Sequence, residues 1–166
     1  AAVLFAARHA GATEVYKVGG AQAIASMALG TETIKPVQKI FGPGNAFVVA
    51  AKRLLFGRVS IDLLPGPSEC LILADDSANP KFIAADMLAQ AEHGSGEERV
   101  WLITTSLKVL NSVEKELGRQ IGECSRREYI QRALDKNGWL INVIDLQHGI
   151  ELTNQLAPEH CEVMVK

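Results

Sequence analysis

Val37-Gln38-Lys39-Ile40-Phe41-Gly42-Pro43-Gly44-Asn45-Ala46-Phe47-Val48-Val49-Ala50-Ala51-Lys52-Arg53-Leu54-Leu55-Phe56-Gly57 reads as three pieces in succession. Residues 37–41 predict a strand, Gly42-Pro43-Gly44-Asn45 a turn, and Ala46 to Phe56 a helix ended by Gly57. The same order occurs just upstream. Glu14-Val15-Tyr16-Lys17-Val18 predicts a short strand, Gly19-Gly20 a tight turn, and Ala21 to Ala28 a small-residue helix. Two successive strand–turn–helix units imply a parallel α/β arrangement, because parallel neighbours need a crossover and a helix is the usual one. They would place two glycine loops at the carboxyl ends of neighbouring strands, where open α/β sheets bind ligands. A glycine turn entering a helix lets backbone N–H groups approach a phosphate or another polar ligand. Gln22, in the first turn of one helix, and Asn45, at the start of the other, are the polar side chains aimed there. Neither G-x-G-x-x-G nor G-x-x-x-x-G-K-S/T is present, so a purely structural turn stands as the other reading of each loop.

Upstream, Ala1 to Ala10 predicts the end of a helix closed by Gly11, and its uncapped start suggests that Ala1 is not a natural domain boundary. Downstream, Ser60 to Leu64 leads into a third turn, Pro65-Gly66-Pro67-Ser68-Glu69, and the apolar strand Cys70 to Ala74. Ser68 sits in a rigid Pro/Gly frame without the G-x-S-x-G nucleophile elbow, and reads as a hydrogen-bonding or plain turn residue. Further strands are expected at Arg99 to Thr105, Trp139 to Ile144 and Cys161 to Val165, alternating with helices from Ser106, from Arg126 and from Leu146 to Leu156. The expected architecture is α/β and Rossmann-like. Mainly parallel strands carry helices on both faces in two similar halves, residues 1–98 and 99–166, the second incomplete at its C-terminal end.

Composition narrows the class. A 48% hydrophobic and 22% charged chain of 166 residues has the balance of a soluble globular domain or part of a larger one. A net charge of -2 argues against a nucleic-acid partner, and the apolar runs stop short of the ~20 residues a membrane span needs. Cys70, Cys124 and Cys161 are odd in number and never in C-x-x-C spacing, which suggests packing roles in a reducing, cytoplasmic compartment.

Two stretches carry candidate chemistry. Asn79-Pro80 starts a helix that runs to Gln90-Ala91-Glu92-His93 and stops at Gly94-Ser95-Gly96. Gln90 and His93, three apart, share a helix face, so two metal ligands fit at that end. Alternatively, His93 merely caps the last turn. In Ala157-Pro158-Glu159-His160, Pro158 ends the preceding helix and holds Glu159 and His160 on a turn at a strand's start, where they form either an acid–base pair or a surface turn.

Taken together and in order, Gly19-Gly20-Ala21-Gln22-Ala23-Ile24-Ala25, Phe41 to Asn45, Ile61-Asp62 with Gly66 to Glu69, Gln90 to His93 and Pro158-Glu159-His160 resemble the motifs of the histidinol dehydrogenase family. The resemblance covers essentially the whole chain. It implies a cytoplasmic, homodimeric oxidoreductase of histidine biosynthesis, with one Zn2+ per subunit, that oxidises L-histidinol to L-histidine through the aldehyde with two NAD. It implies Gln90 and His93 as zinc ligands that also meet the substrate, Glu159 and His160 as acid–base pair with His160 also touching substrate, Ser68 as a substrate contact, and Gln22 and Asn45 as NAD contacts. Family members carry further N- and C-terminal regions, the latter completing the zinc site, so these residues alone are expected to bind zinc weakly and turn over no substrate. Alternatives are a paralogous dehydrogenase of another small polar alcohol and a non-catalytic assembly domain; intact Glu159, His160, Gln90 and His93 argue against the latter.

Overall fold

The computed structural model describes residues 2–93 and 96–166. Gly94 and Ser95, two of the three residues expected to stop the helix before them, lie outside the described residues. The chain divides into two compact units, Ala1–Pro65 and Gly66–Lys166.

The first unit contains α1 (Ala2–His9), α2 (Gly20–Leu29), β1 (Lys39–Ile40), α3 (Ala46–Leu55) and β2 (Ser60–Ile61). β1 and β2 pair in parallel, Lys39 opposite Ser60 and Ile40 opposite Ile61, with α3 as the crossover. Ile24, Ala28, Ile40, Val48 and Val59 form its small core. The strand expected at 14–18 does not form. Val15 and Val18 are exposed there, and Tyr16 donates its hydroxyl to the Glu14 carboxylate at 3.0 Å and the Thr33 carbonyl at 3.2 Å. With no described strand alongside, an extended ladder would leave its N–H and C=O groups unpaired. Only one of the two expected strand–turn–helix units is therefore present among the described residues, the one built on β1, Gly42 to Asn45 and α3.

The second unit contains β3 (Glu69–Ala74), α4 (Pro80–Ala91), β4 (Arg99–Thr104), α5 (Leu107–Ile121), α6 (Arg127–Asn137), β5 (Gly138–Asn142), α7 (Leu146–Leu156) and β6 (His160–Met164). Its sheet has the order β5-β4-β3-β6, and all three pairings are parallel. The chain winds outward from β3 in one direction and finally crosses to its other side with β6, a doubly wound half-sheet whose order reverses between β3 and β6. Side chains alternate across β3. Cys70, Ile72 and Ala74 enter a core shared with α4, α5 and α6, whereas Leu71 and Leu73 join Trp101, Ile103 and Val143 under α7. Each such fully buried Leu or Ile contributes about 1.5–3 kcal/mol by leaving water. Gly149 of α7 lets that helix lie close: a Cβ there would stand 2.8 Å from the Leu73 Cδ1.

Helix starts follow local chemistry. Asn79, Ser106 and Asp145 each accept a hydrogen bond from a backbone N–H in the first turn of α4, α5 and α7. Where the sequence reading divides the chain after residue 98, the compact units meet at Pro65 and Gly66. The reason is register: β3 pairs along its whole length with β4, from Glu69–Arg99 to Ala74–Thr104, which draws β3 and α4 into the second sheet.

Candidate functional site

In the second unit, α4 returns antiparallel to β3, so its C-terminal end reaches the amino edge of the sheet. β6 starts at that same edge, with His160 opposite Cys70. A cavity of about 430 Å3 opens there, lined by Cys70, Asp86, Gln90, His93, Glu159, His160 and Glu162 among others. The structure thus brings Gln90, His93, Glu159 and His160 into one cavity, although they are far apart in the chain. The cavity is at the amino ends of β3 and β6. A larger recess of about 750 Å3 runs along α6, but its lining of Arg127, Glu128, Gln131, Arg132, Asp135 and Lys136 holds none of the candidate residues.

Gln90 is 8% exposed, and its Nε2 has no hydrogen-bond partner among the described residues. A buried amide left unpaired costs free energy, so its presence on a cavity wall marks a place for a polar ligand. His93, one turn further on, is exposed at the cavity mouth. No group of three or more His, Cys, Asp and Glu able to hold a metal occurs among the described residues. Gln90 and His93 line one cavity wall three residues apart, where a cation would be met by Gln90 Oε1 and a His93 ring nitrogen, whereas the unpaired Gln90 Nε2 is a donor and calls for a hydrogen-bond acceptor on a bound group.

Glu159 and His160 both stand in solvent reach, His160 Nε2 4.0 Å from Glu159 Oε1. That separation exceeds a hydrogen bond, so each keeps its polar atoms for a third group. Their presentation depends on Ala157, which ends α7 in the left-handed conformation at φ 45° and ψ 58°. That conformation is unfavourable for a residue with a Cβ, and more so before proline. It turns the chain sharply enough to start β6 at the cavity.

Asp86 and Glu162, which sequence reasoning did not single out, complete the cavity floor. The Glu162 carboxyl is raised above the usual carboxylate range by burial first and by the Asp86 carboxylate second. Burial, then the Glu162 charge, pushes the Cys70 thiol up to about 12, and its Sγ lies 3.9 Å from Glu162 Oε1. Both were readable from spacing: Asp86 and Gln90 are i, i+4 on α4 with His93 following at i+7 just past its end, and Glu162 shares a strand face with His160. Ser68 lies one residue before β3 at the same edge, its carbonyl accepting from Arg99 N at 3.1 Å, and is not among the cavity's lining residues.

Gln22 and Asn45 belong to the first unit. Gln22 is exposed in the first turn of α2. Asn45 caps α3, its Oδ1 accepting from Phe47 N at 3.1 Å and Val48 N at 3.2 Å, which leaves only its amide N–H groups for a ligand. Gly42, three residues earlier, has φ +119°, a conformation that favours glycine. Its N–H donates to Asp62 Oδ2 at 2.7 Å, while Lys52 Nζ donates to its carbonyl and, at 2.7 Å, to Asp62 Oδ1.

The family model for histidinol dehydrogenase matches residues 1–166. The chain belongs to the histidinol dehydrogenase family. It is 51% identical over 164 residues to the histidinol dehydrogenase of Geobacillus kaustophilus, covering 99% of this chain and 38% of that protein. With the Aquifex aeolicus histidinol dehydrogenase it shares 49% identity over 163 residues, covering 98% of this chain and 38% of the relative. The crystal structure of histidinol dehydrogenase from Elizabethkingia anophelis superposes with a TM-score of 0.92 at 41% identity, over 98% of this chain and 37% of that one. The chain therefore spans a little over a third of the length of the relatives it matches. Membership accounts for the Rossmann-like α/β fold, and no described helix is long and apolar enough to cross a membrane.

Proposed function

We propose that this chain forms the central part of a zinc- and NAD-dependent dehydrogenase that oxidises L-histidinol to L-histidine through histidinal. Family membership supports the reaction, and the observation that carries the site is the convergence of Gln90, His93, Glu159 and His160 on one cavity. Gln90 and His93 hold the metal together with ligands from outside these residues, one Zn2+ per subunit. When bound, zinc supplies a template and a positive charge that fix the amino alcohol's nitrogen atoms.

His160 stands at the start of β6, where its imidazole would take the alcohol proton, the hydride acceptor being what a bound NAD would supply. Glu159, adjacent but not hydrogen-bonded to it, would activate the water that hydrates the aldehyde. Ser68 contacts substrate from the β3 edge, and Gln22 and Asn45 contact NAD. The hydride chemistry itself is the cofactor's; these residues bind, orient and move protons. The protein acts as a cytoplasmic homodimer in histidine biosynthesis.

The test is NADH formation by the full-length protein carrying these residues, with L-histidinol as substrate and metal supplied. Two NADH per histidinol, lost in His160→Ala, is the expected result. No turnover by a folded, zinc-loaded protein refutes the substrate assignment.

A further inference from the structure

Lys52 is 1% exposed, yet it carries a charge on an otherwise apolar face of α3. An ammonium is retained in such a place only if its partners satisfy it, and apolar replacement of a buried ion pair is often neutral or stabilising. Stability alone therefore does not explain a lysine here. Its contacts are specific. Lys52 Nζ reaches back along α3 to the Gly42 carbonyl and to Asp62 Oδ1 at 2.7 Å, while Asp62 Oδ2 receives the Gly42 N–H at 2.7 Å. Both main-chain polar groups of one glycine are thus gripped by the two members of a single ion pair.

The gripped residue opens the turn Gly42-Pro43-Gly44-Asn45. That turn has a backbone shape that side chains would not tolerate: Gly42 has φ +119°, Gly44 has no room for a Cβ beside Val48, and only Pro43 fixes its own φ, so the shape must be held from outside the turn. Asn45 is pinned by its two capping bonds to α3. Asp62, from the segment after β2, holds the far end of the grip, and its carboxyl lies well below the usual range because Lys52 and the Gly42 N–H bond its charged form. The ion pair ties the end of β1, the end of β2 and the body of α3 to one turn.

We infer that Lys52 and Asp62 are positioning residues for nucleotide binding, acting through Gly42 to hold the Gly42–Asn45 turn in its NAD-accepting shape without touching the cofactor. The inference rests on the reading that Asn45 contacts NAD. Pre-organisation of this kind lowers the ordering cost of binding, so its loss falls on affinity for NAD and leaves the metal and substrate cavity of the other unit unchanged.

The experiment uses the full-length enzyme and its K52M/D62L, D62N and N45A variants, with NAD titrated directly and zinc content and histidinol binding measured alongside. K52M/D62L removes the pair as a unit, so the protein keeps its fold but binds NAD roughly tenfold or more weakly, with a raised KM for NAD, unaltered zinc content and unaltered histidinol affinity. D62N, which is isosteric and leaves Lys52 its carbonyl, weakens NAD in the same direction and serves if the double variant does not fold. Wild-type NAD affinity in a folded K52M/D62L or D62N protein, with N45A impaired, overturns the positioning role alone. Unchanged NAD affinity in N45A overturns the underlying reading of the turn and the inference with it.

Discussion

Asn45 has one observed duty, capping α3, and one proposed, contacting NAD, and substitution can separate them. Its Oδ1 caps α3 by accepting from Phe47 N and Val48 N, and its amide N–H groups are those assigned to NAD. Replacing an N-cap Asn by Ala costs about 1 kcal/mol, within a range of roughly 0.5–2. Asn45→Ala should therefore speed exchange of the Phe47 and Val48 amide hydrogens about fivefold, since 1.4 kcal/mol corresponds to a factor of ten. Asn45→Asp keeps an oxygen in the capping position and adds a negative charge at a helix N-terminus, which favours the helix by about 0.3–1 kcal/mol. Amide exchange in that variant should be unchanged or slower. NAD affinity, in contrast, should fall in both, because both lose the amide donor and the carboxylate introduced by Asn45→Asp repels a diphosphate; the measurement is a direct NAD titration beside hydrogen exchange. Equal exchange rates in the wild type and Asn45→Ala would refute the capping argument. Wild-type NAD affinity in both variants would refute the nucleotide role of the turn.

Four other outcomes are expected. Ala157→Gly relieves the left-handed strain before Pro158 and should raise the denaturant midpoint, the local gain being about 1 kcal/mol; a lowered midpoint contradicts the strain assignment. Gly149→Ala places a Cβ 2.8 Å from Leu73 Cδ1 and should cost about 1–3 kcal/mol by overpacking, read from chemical unfolding. Cys70, buried with its thiol pushed up to about 12, should resist iodoacetamide at pH 8 while the exposed Cys161 is alkylated, as peptide mass spectrometry would show. The Asp62 carboxyl is held lower in the folded state than in the unfolded one, so the unfolded chain takes up its proton first. Its contribution is fully present above the unfolded pKa of about 4 and is lost as pH falls towards the folded value. The excess protection of the Gly42 amide in the wild type over Asp62→Asn should shrink over that window, and a difference that stays constant with pH defeats the assignment.

Much of the second unit was legible because its signals are local. Asn79-Pro80, Ser106 and Asp145 cap helices by their own side chains, and the apolar density of residues 70–74 and 100–103 matches strands buried on both faces. The strand expected at Glu14 to Val18 failed because local residue preference says nothing about whether a neighbour exists to complete the ladder. The division after residue 98 failed for a related reason, since register between β3 and β4 is a property of the pair. Within the site, Gln90 and His93 were visible from helical spacing, and Glu159 and His160 from the Pro158 turn. Their convergence was not, because it depends on β6 choosing β3 as its partner. The ion pair between buried Lys52 and half-buried Asp62 left no local trace: Lys52 sits beside Arg53 in the last turn of α3, where a basic residue normally faces water.

The pairing of β6 with β3 also sets an order of events. The α4 wall carrying Asp86, Gln90 and His93 is built from residues close together in the chain, but its opposing wall arrives with His160, opposite Cys70 across a span of some ninety residues. Contacts so distant in sequence form late, because the entropy of closing the intervening loop must be met before they contribute. On a growing polypeptide the helix end carrying Gln90 would be finished while Glu159 and His160 were still unsynthesised. The cavity that gathers these residues would then take shape in a single late docking step.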